Sequence, residues 1–158
     1  MKSSSLRPVH PGPESPAEET PERLHHIGFV VPSIEDAVSG FISSFQMDWD
    51  EEVFFDPLQT VRVAFLRHRS AEAPLIELVE PASRQSRVAG FLARGGGLHH
   101  LCYEVASLPA RLESAVSSGA IIVLEPSPAV AFGGRNIAWI CTREKLLVEY
   151  LQRSGPVP

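Results

Sequence analysis

The chain lacks several features that mark particular classes of protein. It has two cysteines, Cys102 and Cys141, and both fall in apolar stretches, which predicts buried thiols in a reducing compartment rather than a disulfide. Its longest apolar runs, such as Ala120–Leu124, have five residues, whereas a bilayer-spanning helix needs about 20. The first residues, MKSSSLRPVHPGPES, lack the apolar segment of a secretory signal. These absences predict a cytoplasmic protein with no membrane partner.

Positive charge is also scarce. The chain has 14 lysines and arginines against 19 aspartates and glutamates, which gives a formal net charge of −5. A nucleic-acid partner usually requires a basic face, so none is expected. The 158 residues, 44% of them hydrophobic, are enough to build the core of one domain.

Proline is concentrated at the start of the chain. Residues 1–22 hold five prolines among serine, glutamate and glycine, and such a segment buries too little apolar surface to offset its ordering entropy. We therefore expect a disordered tail over 1–22, one domain over 23–153 and a short tail over 154–158.

The sequence of the domain contains an internal repeat. LHHIGFVV at 24–31 returns as LHHLCYEV at 98–105, VRVAFL at 61–66 as RNIAWI at 135–140, and LIELVEP at 75–81 as LLVEYLQ at 146–152. In each copy an alternating strand leads to a serine-capped helix, and three strands follow. The strands are expected at 24–31, 49–56, 60–67 and 74–80, and at 98–105, 120–125, 135–141 and 146–152. A short helix at 87–94 and a glycine run at 95–97 connect the copies.

This order predicts an α+β fold. Two βαβββ repeats, over 24–81 and 98–152, would form a cup-like split barrel with the helices outside. One face of each sheet would then pack on a helix, and the other would line the cup.

Alternation along each first strand distinguishes the two histidines of each pair. His26 shares its face with Gly28, whereas His25 shares its face with bulkier residues that are expected to pack on a helix. By the same logic His100, with Cys102 and Glu104, points into the cup, and His99 points away from it.

Each repeat also carries a glutamate inside an apolar strand, about 50 residues after its histidine. Glu77 and Glu149 are these residues, and an unpaired carboxylate in such a position costs several kcal/mol. Two neutral imidazoles and two carboxylates would balance a divalent cation and leave two of six octahedral positions open for a substrate. A single histidine or glutamate is more often structural, but two matched pairs favour a metal site made by His26, Glu77, His100 and Glu149. These ligands accept Co, Ni, Mn, Zn or Fe.

At these residues the chain resembles the vicinal oxygen chelate superfamily, the group of glyoxalases, bleomycin resistance proteins and dioxygenases. Within that superfamily it is most similar to methylmalonyl-CoA epimerases. The motifs that carry the likeness are LHHIGFVVPSIEDAV, LIELVEP, VAGFLARGGGLHHLCYEV and LLVEYL. The resemblance implies that the same four residues hold the metal and that the substrate is an acyl-CoA thioester with an acidic α-carbon. It also implies a homodimer.

An epimerase needs proton transfer on both faces of its substrate. The leading hypothesis is a metal-dependent isomerase or epimerase that removes a proton α to a carbonyl, with Glu149, or another carboxylate released from the metal, as one base. Epimerases generally carry a second glutamate before the third strand, but Leu58 stands there in this chain. Asp56 or Glu104 is the expected replacement. In the loop PSPAVAFGGRNIAWI, Val130 and Phe132 line a substrate pocket, or Gly133 and Gly134 make a plain hairpin turn; the sequence favours neither.

Three other functions compete with an epimerase. A glyoxalase I-type lyase would use the same metal shell on a thiol adduct. An extradiol dioxygenase is disfavoured, because those enzymes bind iron with two histidines and one glutamate. A metabolite- or drug-binding module without enzymatic activity is disfavoured because such members typically lack the metal residues.

Overall fold

The computed structural model describes residues 21–70 and 72–154, and the nine strands found there form one open sheet. The first half contains β1 (Arg23–Val30), α1 (Ile34–Phe45), β2 (Met47–Trp49), β3 (Phe54–Asp56), β4 (Val61–His68) and β5 (Leu75–Pro81). A short helix α2 (Ala89–Leu92) leads to the second half, which contains β6 (Gly97–Val105), α3 (Leu108–Ser117), β7 (Ile121–Pro128), β8 (Asn136–Cys141) and β9 (Leu147–Gln152). The predicted α+β class is confirmed.

The two repeats join through their first strands. The sheet order is β2-β4-β5-β1-β6-β9-β8-β7, with β3 also paired to β4. β1 runs parallel to β5, β6 runs parallel to β9, and β1 and β6 meet antiparallel at the centre. The halves are therefore related by an approximate twofold axis between β1 and β6.

Helix capping repeats with the same symmetry. The Ser33 hydroxyl accepts a hydrogen bond from the amide of Asp36, and the Ser107 hydroxyl accepts one from the amide of Ala110. The first amide of each helix is also capped from the last strand of its own repeat, by Glu80 in α1 and by Gln152 in α3. These bonds satisfy amides that a helix start leaves without partners.

Each helix packs on the outer face of its own half. In the first half Ile34 and Val38 pack against Leu66 and Leu78 of the sheet. In the second half the corresponding cluster contains Leu108, Leu112, Ala115, Ala138 and Tyr150. Full burial of one large apolar side chain contributes about 1.5–3 kcal/mol to the free energy of folding, so these contacts hold each helix on the outer face of the sheet. The inner face is left for the site.

One predicted strand is divided. The segment expected at 49–56 forms β2 and β3, which pair with opposite ends of β4. Between them the Asp50 carboxylate accepts a hydrogen bond from the Glu52 amide, and Glu51 adopts a left-handed φ of 64°. This local turn breaks the ladder. It leaves Asp56 at the end of a separate short strand.

The linking helix, the two cysteines and the chain ends can also be compared with the sequence predictions. The linking helix is shorter than the predicted 87–94. Cys102 and Cys141 are free thiols, as predicted, but only Cys102 is buried, because Cys141 lies at the end of β8 and is half-buried. Apart from Pro21 and Glu22, the predicted tail lies outside the described residues, as do the residues after Ser154. Over residues 21–70 and 72–154, no helix has the length and apolar character needed to cross a membrane.

Candidate metal centre

Strand register brings the four predicted ligands together in two rows across the centre of the sheet. The first row runs through Phe65, Glu77, Gly28 and His100 on β4, β5, β1 and β6. The second row runs through Trp139, Glu149, Cys102 and His26 on β8, β9, β6 and β1. Each row thus contains an aromatic residue, a glutamate, a small residue and a histidine. Each histidine belongs to the opposite repeat from the glutamate in its row.

The donor atoms of the four residues converge. The two histidine Nε2 atoms lie 3.1 Å apart. Within the rows, Nε2 of His26 lies 3.1 Å from Oε2 of Glu149, and Nε2 of His100 lies 3.2 Å from Oε2 of Glu77. Between the rows, the nitrogen–oxygen distances are 3.5 Å for His26 and Glu77 and 3.7 Å for His100 and Glu149. All four residues are at most 7% exposed.

The ligand atoms of His26, His100 and Glu149 all lie within 4.8 Å of one another, and the Glu77 carboxylate lies beside both histidines, so these distances are compatible with one shared ion. Neighbouring donors around a divalent cation bound at about 2.1 Å lie about 3 Å apart. Both glutamates pair with the two histidines, and in the part of the chain described no lysine or arginine takes the place of a cation beside them. The donor set therefore fits a divalent metal, which two nitrogens and two oxygens would hold.

The electrostatics of the cluster favour positive charge at its centre. Burial opposes protonation of His26, but the neighbouring Glu77 and Glu149 carboxylates raise its pKa well above the usual value. Burial likewise opposes ionisation of Glu77, but the two histidines lower its pKa strongly. Burial and the Glu149 charge raise the pKa of Cys102, so its thiol stays neutral. A cation would satisfy the same carboxylates.

Gly28 makes room for one of the ligands. An ideal Cβ at Gly28 would lie 2.0 Å from Cε1 of His100. The His100 ring therefore lies directly over the Gly28 backbone, in space that another residue would fill. At the symmetry-related position Cys102 carries a side chain, so the two halves differ here.

Aromatic side chains fix the planes of both ligand rings. Trp139 meets His100 edge-on at 4.5 Å between ring centroids, and Phe65 meets His26 at 5.6 Å. Phe132, from a 3-10 turn at Val130–Phe132, stacks on His26 at 5.7 Å with 22° between the planes. Of the two loop residues weighed from the sequence, Phe132 thus reaches the site, whereas Val130 is 49% exposed.

The outer histidines lie elsewhere than strict alternation predicts. His25 packs against Phe132, and His99 packs against Phe91 and lies beside the site. Nδ1 of His25 is 2.9 Å from Nδ1 of His26, and the corresponding distance for His99 and His100 is 3.0 Å. Burial first, and then the neighbouring ligand histidine, lowers the pKa of each outer histidine to about 4. Both outer rings are therefore neutral at physiological pH.

A cavity that is partly open to solvent lies against the donor cluster. Its polar lining residues are Asp56, Gln59, Glu77, His99, His100 and Glu149, and its apolar ones include Val61, Val63, Phe132, Ile137 and Trp139. An apolar cavity with a few convergent polar groups is the usual form of a small-molecule site.

The structure separates the two candidates for the second acid or base. Asp56 is buried and lines the cavity, where its carboxylate accepts hydrogen bonds from the amides of Leu58 and Gln59 and from the Gln59 side chain. Glu104 instead accepts hydrogen bonds from Arg23 at 2.7 Å and Arg135 at 2.8 Å, and it is not among the residues that line the cavity. Burial opposes ionisation of Glu104, but the two guanidinium groups hold its pKa below the usual value.

Comparisons with known proteins agree with the sequence resemblance. The sequence model of the glyoxalase/bleomycin resistance protein/dioxygenase superfamily matches residues 25–139. The ethylmalonyl-CoA/methylmalonyl-CoA epimerase of Cereibacter sphaeroides is 28% identical over 120 residues, which cover 75% of this chain and 87% of that protein.

Solved structures give the same result for the fold. A hypothetical protein from Bacillus halodurans superposes with a TM-score of 0.74 at 29% identity, over 88% of this chain and 99% of its own. Methylmalonyl-CoA epimerase from Mycobacterium tuberculosis superposes with a TM-score of 0.72 at 25% identity, over 84% of this chain and 88% of its own. Both similarities extend over most of each chain.

Proposed function

Because the chain belongs to the glyoxalase/bleomycin resistance protein/dioxygenase superfamily, we propose that it is an epimerase of the methylmalonyl-CoA type. Such an enzyme removes and returns a proton on the carbon next to a thioester carbonyl. The observation that carries the proposal is the buried set of two imidazoles and two carboxylates beside a cavity that also contains Asp56. The similarity to a named ethylmalonyl-CoA/methylmalonyl-CoA epimerase supports an acyl-CoA substrate. The homodimer and the cytoplasmic location stay predictions.

His26, Glu77, His100 and Glu149 are the proposed metal ligands. A divalent cation held there would supply Lewis-acid chemistry, which would polarise the substrate carbonyl and make the neighbouring C–H bond more acidic. The chain contributes a rigid support, because the four ligands are buried and aromatic rings hold both imidazoles in place. Identification of the metal requires analysis of the purified protein.

Two carboxylates are the proposed proton carriers. Glu149 lies on β9 in the second repeat, and Asp56 lies on β3 in the first, so they approach the cavity from different parts of the sheet. Leu58, where the resemblance implies a glutamate, is 63% exposed and has no group that carries a proton. The three hydrogen bonds accepted by Asp56 hold its carboxylate at the cavity wall. We assign Asp56 the role that glutamate has in the related epimerases.

Exchange of solvent deuterium tests this assignment. Metal-loaded protein is incubated with one enantiomer of methylmalonyl-CoA in D₂O, and both deuterium uptake and formation of the other enantiomer are followed. Asp56→Asn keeps a side-chain oxygen that accepts the backbone hydrogen bonds, but the amide group cannot take up or release a proton at neutral pH. We expect about 100-fold slower epimerisation or more, the usual contribution of a general acid or base, with metal content unchanged.

Three results would contradict the proposal in different ways. Wild-type epimerisation rates in Asp56→Asn would exclude Asp56 as the second proton carrier. Protein that retains less than about 0.2 equivalents of metal and gains none on reconstitution would exclude the metal centre, since a site with these four ligands binds divalent ions tightly. Turnover of a glutathione hemithioacetal, with no deuterium exchange into the acyl-CoA, would assign a lyase instead.

A further inference from the structure

Each ligand histidine has a second histidine against its other ring nitrogen. The Nδ1–Nδ1 distances of 2.9 Å and 3.0 Å are hydrogen-bond distances, and the two rings of each pair are close to perpendicular, at 77° and 89°. A hydrogen bond between two ring nitrogens requires a hydrogen on one and a lone pair on the other. In each pair one imidazole is therefore the donor and its neighbour the acceptor.

The position of the metal centre decides the direction of both hydrogen bonds. His26 and His100 turn Nε2 towards the four-donor cluster, so Nε2 must offer its lone pair to a metal. A neutral imidazole that uses the lone pair of Nε2 carries its hydrogen on Nδ1. Nδ1–H of each ligand then donates to Nδ1 of the outer histidine, which holds its own hydrogen on Nε2.

The backbone explains how two consecutive side chains of a strand meet in this way. On β1, Leu24 pairs with Tyr103 and His26 pairs with Cys102, so His25 is an extra residue with no partner between them. On β6, His99 is the extra residue, because Gly28 pairs with His100 and Phe29 pairs with Leu98. A β-bulge interrupts alternation and redirects a side chain. The two bulges occur at symmetry-related positions.

The acceptor rings are themselves held in place. Phe132 contacts His25 edge-on at 5.4 Å between centroids, and Phe91 contacts His99 edge-on at 4.8 Å. These contacts restrict rotation of the outer rings, so each Nδ1 lone pair is fixed before a metal binds.

We propose that His25 and His99 are positioning residues of the metal centre, each of which fixes the tautomer and ring orientation of the adjacent ligand histidine. The inference rests on the proposed metal site and adds a function for the first histidine of both His-His pairs. Partners of this kind behind a metal ligand typically change metal affinity 10- to 100-fold when removed. His25 and His99 thus strengthen metal binding without touching the ion.

Paired substitutions at His99 and at His25 test the proposal. His99→Phe keeps an aromatic ring against Phe91 but has no acceptor, whereas His99→Asn places an amide oxygen close to the former Nδ1 position. We expect His99→Phe to bind zinc about 10- to 100-fold more weakly than wild type, and His99→Asn to stay within about threefold. His25→Phe and His25→Asn are expected to give the same contrast. Zinc affinity is measured by competition with a chromophoric chelator.

Nitrogen NMR of the zinc-loaded wild-type protein is an independent test, because it does not depend on whether any variant folds. Long-range ¹H–¹⁵N correlations should show His26 and His100 protonated at Nδ1, and His25 and His99 protonated at Nε2. Protonation of either outer histidine at Nδ1, or equal zinc affinity in the phenylalanine and asparagine variants, would overturn the positioning role. Failure of wild-type protein to bind zinc or any other divalent ion would instead overturn the proposed metal centre itself.

Discussion

Replacement of Gly28 by alanine is expected to displace His100 from the metal centre while the rest of the fold stays intact. The new Cβ would lie 2.0 Å from Cε1, 2.3 Å from Nδ1 and 2.6 Å from Nε2 of the His100 ring. Carbon atoms in contact are separated by about 3.5–4.0 Å, so the ring must move by roughly 1.5 Å or more. A metal site tolerates changes of about 0.2 Å in its ligand distances. His100 can then no longer share an ion with the other three ligands.

The loss should be large in metal affinity and moderate in stability. Removal of a partner behind a ligand costs up to about 100-fold in affinity, so loss of the ligand itself should cost at least that much. An extra methyl group in a packed site destabilises the fold by about 1–3 kcal/mol. Chelator competition gives the zinc affinity of Gly28→Ala, and urea denaturation gives its free energy of unfolding.

Gly40→Ala is the matched control. Gly40 lies in α1, and an added Cβ there meets no atom within 4 Å. This variant should keep wild-type zinc affinity and gain about 0.5–1 kcal/mol in stability, because alanine favours a helix interior. A folded Gly28→Ala protein with wild-type zinc affinity would refute the role assigned to His100.

Two further predictions concern stability. Glu104→Gln should lower the free energy of unfolding at neutral pH by about 1–3 kcal/mol, because it removes the charge that Arg23 and Arg135 bind. The pKa of Glu104 is depressed in the folded state, so this stability difference should be present above the unfolded pKa of about 4.3 and disappear as pH falls through the folded pKa. Urea titrations at several pH values measure the difference. A stability difference that does not change with pH would contradict the prediction. Metal at 100 times its Kd should stabilise the wild type by about 2.7 kcal/mol, or about 5–10 °C in Tm, relative to chelator-treated protein. Thermal scans of Glu149→Gln should show no such shift, and an undiminished shift would exclude Glu149 as a ligand.

The sequence allowed the fold to be predicted where periodicity and repetition agree. Both copies of the LHH strand, both serine-capped helices and the last two strands of each repeat have strong apolar patterns, and the structure contains them. The split between β2 and β3 could not be predicted in the same way. It depends on a left-handed φ at Glu51, a non-glycine residue whose identity gives no signal for that conformation.

The convergence of the four proposed ligands was predictable from the sequence, but their surroundings were not. Alternation from His26 and His100 selects the inner face, and the structure brings both together with Glu77 and Glu149. The same alternation places His99 on the wrong face, because a bulge at a single residue is invisible to a period-two pattern. The sequence did contain one signal for the outer histidines: the His-His doublet occurs in both copies, although each strand supplies only one proposed ligand.

β1 and β6 join the repeats, and each row of the site crosses that joint. Glu77 meets His100 from the other repeat, and His26 meets Glu149. Separation of the halves would therefore pull both histidines away from the glutamates that face them. An ion bound by the four proposed ligands would crosslink two similar units, much as a disulfide would in a protein with paired cysteines. Such a crosslink would have to break before the halves separate, so a bound metal should slow unfolding.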